Sequence, residues 1–162
     1  MNIFILNRNE EIVQVLSDSA EKTACHFFNS TLVVELNKGS NFTFEVDALN
    51  EELLEHIKEE NFVVVPYGSE YKLFIIREIV DIHSDSLIKE VYCEDASIEL
   101  ADEIILESFI DKVEIVDALK SMLKDTRWTS GIVDDTYIRQ LTEEYKSRSV
   151  LDAIYTLASE YN

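Results

Sequence analysis

Three glycines and a single proline in 162 residues leave little material for loops, and argue against a disordered or loop-rich chain. The same scarcity removes the phosphate cradles. There is no GxGxxG and no P-loop lysine motif, so the usual nucleotide-binding signatures are absent. Two cysteines, Cys25 and Cys93, with no CxxC, cannot form a disulfide framework or a cysteine-rich zinc site. No apolar run approaches the length of a bilayer span, and Ile3 to Leu6 is too short for the core of a secretory leader. Basic residues are also few. Fourteen lysines and arginines stand against 33 acids, for a net charge of −19. Nucleic-acid affinity rests on cations that displace counterions, so this balance speaks against sequence-specific nucleic-acid binding, and equally against an anionic membrane surface. It suits a solvated acidic surface, a wall past which DNA slides without sticking, or a decoy that imitates DNA.

What is present is β-structure. Ile3-Phe4-Ile5-Leu6 and Ile12-Val13-Gln14-Val15-Leu16 flank the polar turn Asn7-Arg8-Asn9-Glu10-Glu11. A strand this close to the initiator predicts a chain without a targeting signal or membrane anchor. After a polar link from Ser17 to Thr23, two runs, Thr31 to Asn37 and Asn41 to Val46, surround Lys38-Gly39-Ser40. In the second, Phe42, Phe44 and Val46 alternate with Thr43 and Glu45, the period of a half-buried strand. Asn50 to Ile57 reads as a short helix with Leu53, Leu54 and Ile57 on one face. Phe62 to Val65 reads as a strand stopped by Pro66, with a turn over Tyr67-Gly68-Ser69-Glu70. Lys72 to His83 is a long strand that Ser84-Asp85-Ser86 turns into Leu87 to Glu94. Short strands joined by tight turns predict a small antiparallel barrel or sandwich.

Composition shifts near Ala96. Helical spacing occupies Ser97 to Glu103, and Ile104 to Ile110 fits strand or helix. Ile115, Ala118, Leu119, Met122 and Leu123 lie on one helical face. Thr126 to Val133 and Thr136 to Glu144 read as β, hinged at Asp134-Asp135. A last helix carries Val150, Leu151, Ile154, Leu157, Ala158 and Tyr161, with Ser149 as its cap three residues before Asp152. The expected class is therefore α+β: a β-barrel-like domain over residues 1–95, then a small α+β domain over 96–162. The final helix has no capping signal after Tyr161, as expected either of an incomplete second domain or of a terminal helix docked on the sheet.

No catalytic constellation emerges. His26 adjoins Cys25, but neighbours on a strand point to opposite faces. His56 sits among glutamates and is expected to face water. His83 and Cys93 lie on hairpin partners, so a Cys-His pair is conceivable, but no third group is there to orient it. Glu10-Glu11, Glu51-Glu52, Glu59-Glu60 and Asp134-Asp135 read as solvated charge, and Asp81 with Asp85 lacks the ligand register of a calcium loop. Trp128 reads as an anchor between a helix and the strand after it. The expectation is a non-enzyme with no cofactor, no metal and no catalytic residue.

Taken in order, several segments resemble one family. They are Leu6 to Leu16, Phe74-Ile75-Ile76-Arg77-Glu78, Val91-Tyr92-Cys93-Glu94 leading to Glu99-Leu100-Ala101-Asp102-Glu103, Thr126-Arg127-Trp128, and Ser149 to Ile154. Together they are similar to the N-terminal region of tail-tip hub proteins of tailed bacteriophages, the prophage endopeptidase tail or tail-associated lysin family. The resemblance implies a structural protein of the virion tail tip, assembled in the bacterial host cytoplasm. It implies a ring-forming barrel, a homo-trimer in the full-length protein, and docking on the distal tail protein ring, with the tape-measure protein as a possible further partner. It also implies a DNA channel that the hub forms or closes, and in some members a separate C-terminal peptidoglycan-degrading domain. The alternatives are a free-standing acidic binding module or DNA-mimic inhibitor, and a cell-wall hydrolase. Lys89, Arg139 and Lys146, interleaved with the acids, count against the DNA mimic.

Overall fold

In the computed structural model, residues 1–19, 25–35, 38–49, 54–83, 87–133 and 141–161 are described. The chain divides into two compact units, Met1–Ala96 and Ser97–Asn162.

The first unit is a closed barrel of seven strands: β1 (Asn2–Leu6), β2 (Ile12–Ser17), β3 (Cys25–Val33), β4 (Asn41–Asp47), β5 (Phe62–Tyr67), β6 (Glu70–His83) and β7 (Leu87–Asp95). Around the ring they run β1-β2-β3-β4-β7-β6-β5, and β5 pairs back onto β1. The opening turn is held by the Asn7 side chain, whose Oδ1 accepts the backbone N–H groups of Asn9 and Glu11 at 2.9 and 3.0 Å. This is the local hydrogen bonding that suits Asn to turns. Gly68, at φ +62°, is the first of two loop residues joining β5 to β6. That left-handed conformation favours glycine.

Period-two alternation places the core. Ile3 and Ile5 on β1, Phe42, Phe44 and Val46 on β4, and Val91 and Cys93 on β7 all point inward and are buried. The rings form a continuous aromatic chain. Phe27 meets Phe44 edge-on with centroids 6.1 Å apart, Phe44 stacks on Phe42 at 5.5 Å, and Phe42 leans on Phe74 at 5.8 Å.

Three expectations change here. β3 begins at Cys25 rather than Thr31, and its register on β4 slips between Phe28 and Thr31, where Asn29 adopts φ +49°. β5 is not stopped by Pro66 but runs to Tyr67. β1 accompanies β5 only as far as Val64, so no ladder on that side needs the missing Pro66 N–H. One pair, β2 with β3, is parallel, matched over Leu16↔Cys25 and Ser17↔His26, in an otherwise antiparallel ring. The expected helix from Asn50 lies partly outside the described residues. Its visible end is a turn in which the Ile57 N–H donates to the Leu54 carbonyl, and both side chains are buried.

The second unit opens within a 3-10 helix, Ala96–Ala101. It contains β8 (Ile104–Val113), α1 (Ile115–Leu123), β9 (Leu141–Ser149) and α2 (Val150–Tyr161), with β8 and β9 as an antiparallel ribbon. A two-stranded ribbon is marginal by itself. Here Leu100, Ala118, Met122, Leu123, Val150, Ala153 and Leu157 bury a small core against it. Ile104 to Ile110 is therefore strand, not helix. The expected cap is present, with Ser149 Oγ accepting the Asp152 N–H at 3.2 Å.

The segment Thr126 to Val133, expected as β, is not a strand. The Thr126 hydroxyl donates to the Leu123 carbonyl at 2.9 Å and accepts the Trp128 N–H at 3.1 Å, which ties the backbone into a turn behind α1. Trp128 does pack on the small core, with the Arg127 guanidinium 5.4 Å from its ring, and residues 129–133 directly after it are not strand. Of Thr136 to Glu144, the part from Leu141 is in β9, and the rest, with the Asp134-Asp135 hinge, falls outside the described residues.

Candidate functional site

The register of β6 on β7 separates the one Cys-His pair that the sequence left conceivable. Cys93 lies opposite Ile76 and His83 opposite Leu87, seven residues further along β6, a span of about 23 Å at strand rise. Cys93 is fully enclosed, and burial alone pushes its thiol well above the ordinary range. Cys25 also faces the core. Burial, and then the Asp47 carboxylate, raise it from 9.0 to about 11. Neither resembles an activated nucleophile, whose pKa is lowered.

His26 points the other way from Cys25. It stacks against Phe28 at 5.7 Å, and its Nε2 lies 3.2 Å from the Asp18 carbonyl. His56 is half-buried rather than solvated, and its carbonyl accepts the Asn61 amide at 2.9 Å. Asp81 forms an ion pair with Lys89 at 2.7 Å. Among the described residues no three of His, Cys, Asp and Glu gather as a metal site would require.

Two polar arrangements stand out on the barrel. In the first, Glu60, expected as solvated charge, bridges two arginines. One carboxylate oxygen meets Arg8, the other accepts Arg77 Nη1 at 2.6 Å, and Arg77 Nε reaches Glu94 at 3.3 Å. Arg8 also lies over the Phe62 ring, 4.8 Å from its centroid. Glu60 is held at φ +71° by its backbone N–H, which donates to the Ile76 carbonyl at 2.8 Å. The Tyr92 hydroxyl is pushed up, first by burial and then by the neighbouring Glu94 carboxylate. This cluster ties the β1–β2 turn and the approach to β5 onto β6 and β7. Its members lie 17 and 52 residues apart, so only the register could reveal it.

The second arrangement is an acidic outer wall. Opposite the inward Phe42, Phe44, Val91 and Cys93, the outward positions of β4, β7 and β6 include Glu45, Glu90 and Glu78. Glu45 and Glu90 are direct cross-strand neighbours. Like charges so placed are destabilising. Asn29 Nδ2 donates to Glu45 at 2.9 Å, and among the described residues no cation pairs with Glu78 or Glu90.

No protein-family model matches the sequence, and no curated protein matches it. Solved structures do. The prophage tail protein gp18 from Listeria monocytogenes superposes with a TM-score of 0.64 at 14% identity, over 97% of this chain and 45% of that one. It has the fold of phage tail proteins. The 43 kDa tail protein of prophage MuSo2 from Shewanella oneidensis agrees at a TM-score of 0.59 and 12% identity, over 99% of this chain and 48% of that one. A tail protein from Neisseria meningitidis gives 0.55 at 9% identity, over 98% and 44%. The chain thus spans under half the length of the tail proteins it matches.

Proposed function

We propose that this chain is the N-terminal part of a phage or prophage tail-tip hub, with a structural rather than catalytic role. The observation that carries the reading is the match to three tail proteins along nearly the whole chain, barrel and α+β unit together. In this reading the barrel docks on the distal tail ring. Three copies of the longer protein surround a DNA channel, and the tape-measure protein is a neighbour inside it. The wall of Glu45, Glu78 and Glu90 supports that placement, because carboxylates that no cation neutralises keep a polyanion from adhering. The role as structural protein is supported by raised rather than lowered thiol pKa values and by the separation of His83 from Cys93 along the β6–β7 ladder.

The test is immunogold labelling of tail particles purified after induction of the source strain, with antibody raised against residues 1–96. Gold confined to the distal tail end is the expected result. Particles that carry no label, or label along the shaft, would sink the hub assignment.

A further inference from the structure

The end of α1 and the turn behind it form a groove of about 370 Å³, lined by Lys120, Leu123, Lys124, Thr126, Trp128 and the two residues after it. Two of these residues are basic and none is acidic, in a chain where acids outnumber bases 33 to 14. Asp125, next to Lys124 in sequence, lines a separate groove beside Glu103 and Glu107. Lys124 keeps helical geometry, at φ −52° and ψ −39°, so it stands on the same side of the helix as Lys120 and about 6 Å further along the axis. Both lysines are exposed. Lys120 approaches Asp117 only at 3.9 Å, and among the described residues Lys124 has no ion pair.

A helix C-terminus by itself repels an anion, because its last carbonyls carry partial negative charge. Here the Leu123 carbonyl accepts both the Thr126 N–H at 3.0 Å and the Thr126 hydroxyl at 2.9 Å, which engages both of its lone pairs. Trp128 is held on the small core, and the Arg127 guanidinium beside its ring is bound to Glu99 at 2.6 and 2.9 Å. Arg127 is thus neutralised within the fold. The charge of the groove is that of its two lysines, and its apolar surface is that of Leu123 and Trp128.

We propose that this groove docks an extended segment of a partner protein in which glutamate or aspartate alternates with apolar side chains. Charge complementarity selects the occupant. Carboxylates two residues apart on an extended chain lie about 7 Å from each other, close to the spacing of Lys120 and Lys124. The apolar side chains between them cover Leu123 and Trp128, where burial of an aromatic ring supplies most of the affinity. A second copy of this chain is the poorer occupant, because each copy carries −19. The inference is independent of the hub reading and concerns only the second unit.

Trp128 is the only tryptophan, so its fluorescence reports on this groove alone. The experiment titrates the full chain with two peptides free of aromatic residues, acetyl-Ser-Glu-Leu-Glu-Leu-Glu-Ser-amide and the same peptide with glutamine for glutamate. At 0.15 M salt a screening length of about 8 Å mutes the remote acids and spares pairs in contact. The glutamate peptide should shift Trp128 emission to the blue in a saturable way, and the glutamine peptide should bind at least fivefold more weakly. Lys120→Gln and Lys124→Gln should each weaken the glutamate peptide two- to fivefold, and the doubly substituted chain should bind both peptides equally. Unmoved Trp128 emission at millimolar peptide, equal binding of both peptides to the wild-type chain, or a glutamate preference that survives in the doubly substituted chain would each overturn the proposal. So would inorganic phosphate that shifts the emission where the peptide does not, which would give the groove to a small anion.

Discussion

The two thiols offer a direct measure of whether the barrel is closed. In an unfolded chain at pH 8, a thiol of pKa 9.0 is about 9% thiolate, the form that attacks disulfide reagents. With Cys25 raised to about 11, that fraction falls to about 0.1%, so electrostatics alone slows labelling about a hundredfold, and enclosure in the core slows it further. Cys93, with no exposed surface, should label more slowly still, at the rate at which the barrel opens. The assay is Ellman's reagent at pH 8, with and without 6 M guanidinium, using the Cys25→Ala and Cys93→Ala chains to separate the signals. Both thiols should react within seconds in denaturant and over hours without it. The pH dependence has a definite sign. Cys25 holds its proton more tightly in the folded chain, so its contribution to stability is complete below about pH 9. It is lost as the pH rises from 9.0 towards 11, by up to about 2–3 kcal/mol. Native Cys93 that labels within tenfold of the unfolded rate would refute the closed core.

Phe42→Ala removes a ring in contact with both Phe44 and Phe74, and should cost about 3–5 kcal/mol in urea unfolding, whereas Phe42→Leu should cost less than half of that. Glu60→Gln weakens two partly exposed ion pairs and should cost only about 1 kcal/mol, with the difference from wild type shrinking in 1 M salt. A Cβ added at Gly68 meets no neighbouring atom within 4 Å, so the cost of Gly68→Ala, about 1–2 kcal/mol by thermal melting, comes from the left-handed backbone alone; a neutral result would mean that the turn rearranges.

Much of the barrel was legible because the inward residues of β1, β4 and β7 alternate with outward ones. Phe42, Phe44 and Val46 announce β4 wherever it pairs. β3 was legible only in its last third, because the bulge at Asn29 breaks the alternation between Phe27 and Leu32. Thr126 to Val133 misled for a different reason. Its β-branched residues and Trp128 carry strand propensity, yet a Thr126 side chain that bonds its own neighbours commits the backbone to a turn. The parallel join of β2 to β3 had no local signal, since it depends on where β3 returns to the ring. The same holds for Glu60 and its two arginines, and for the outward Glu45–Glu90 pair, which follow from strand register and not from any motif.

The ring closure between β1 and β5 also sets a clock for synthesis. Phe4 pairs with Val64 and Leu6 with Phe62, so β1 cannot satisfy its second edge until nearly sixty more residues have been polymerised. At roughly 5–20 residues per second on the ribosome, that edge waits about 3–12 seconds, paired on one side only, with β2. Throughout that interval Ile3 and Ile5 have no completed interior to enter. The nascent chain is therefore most open to chaperone capture, or to mispairing with its neighbours on a polysome, before the segment Phe62–Tyr67 has cleared the exit tunnel.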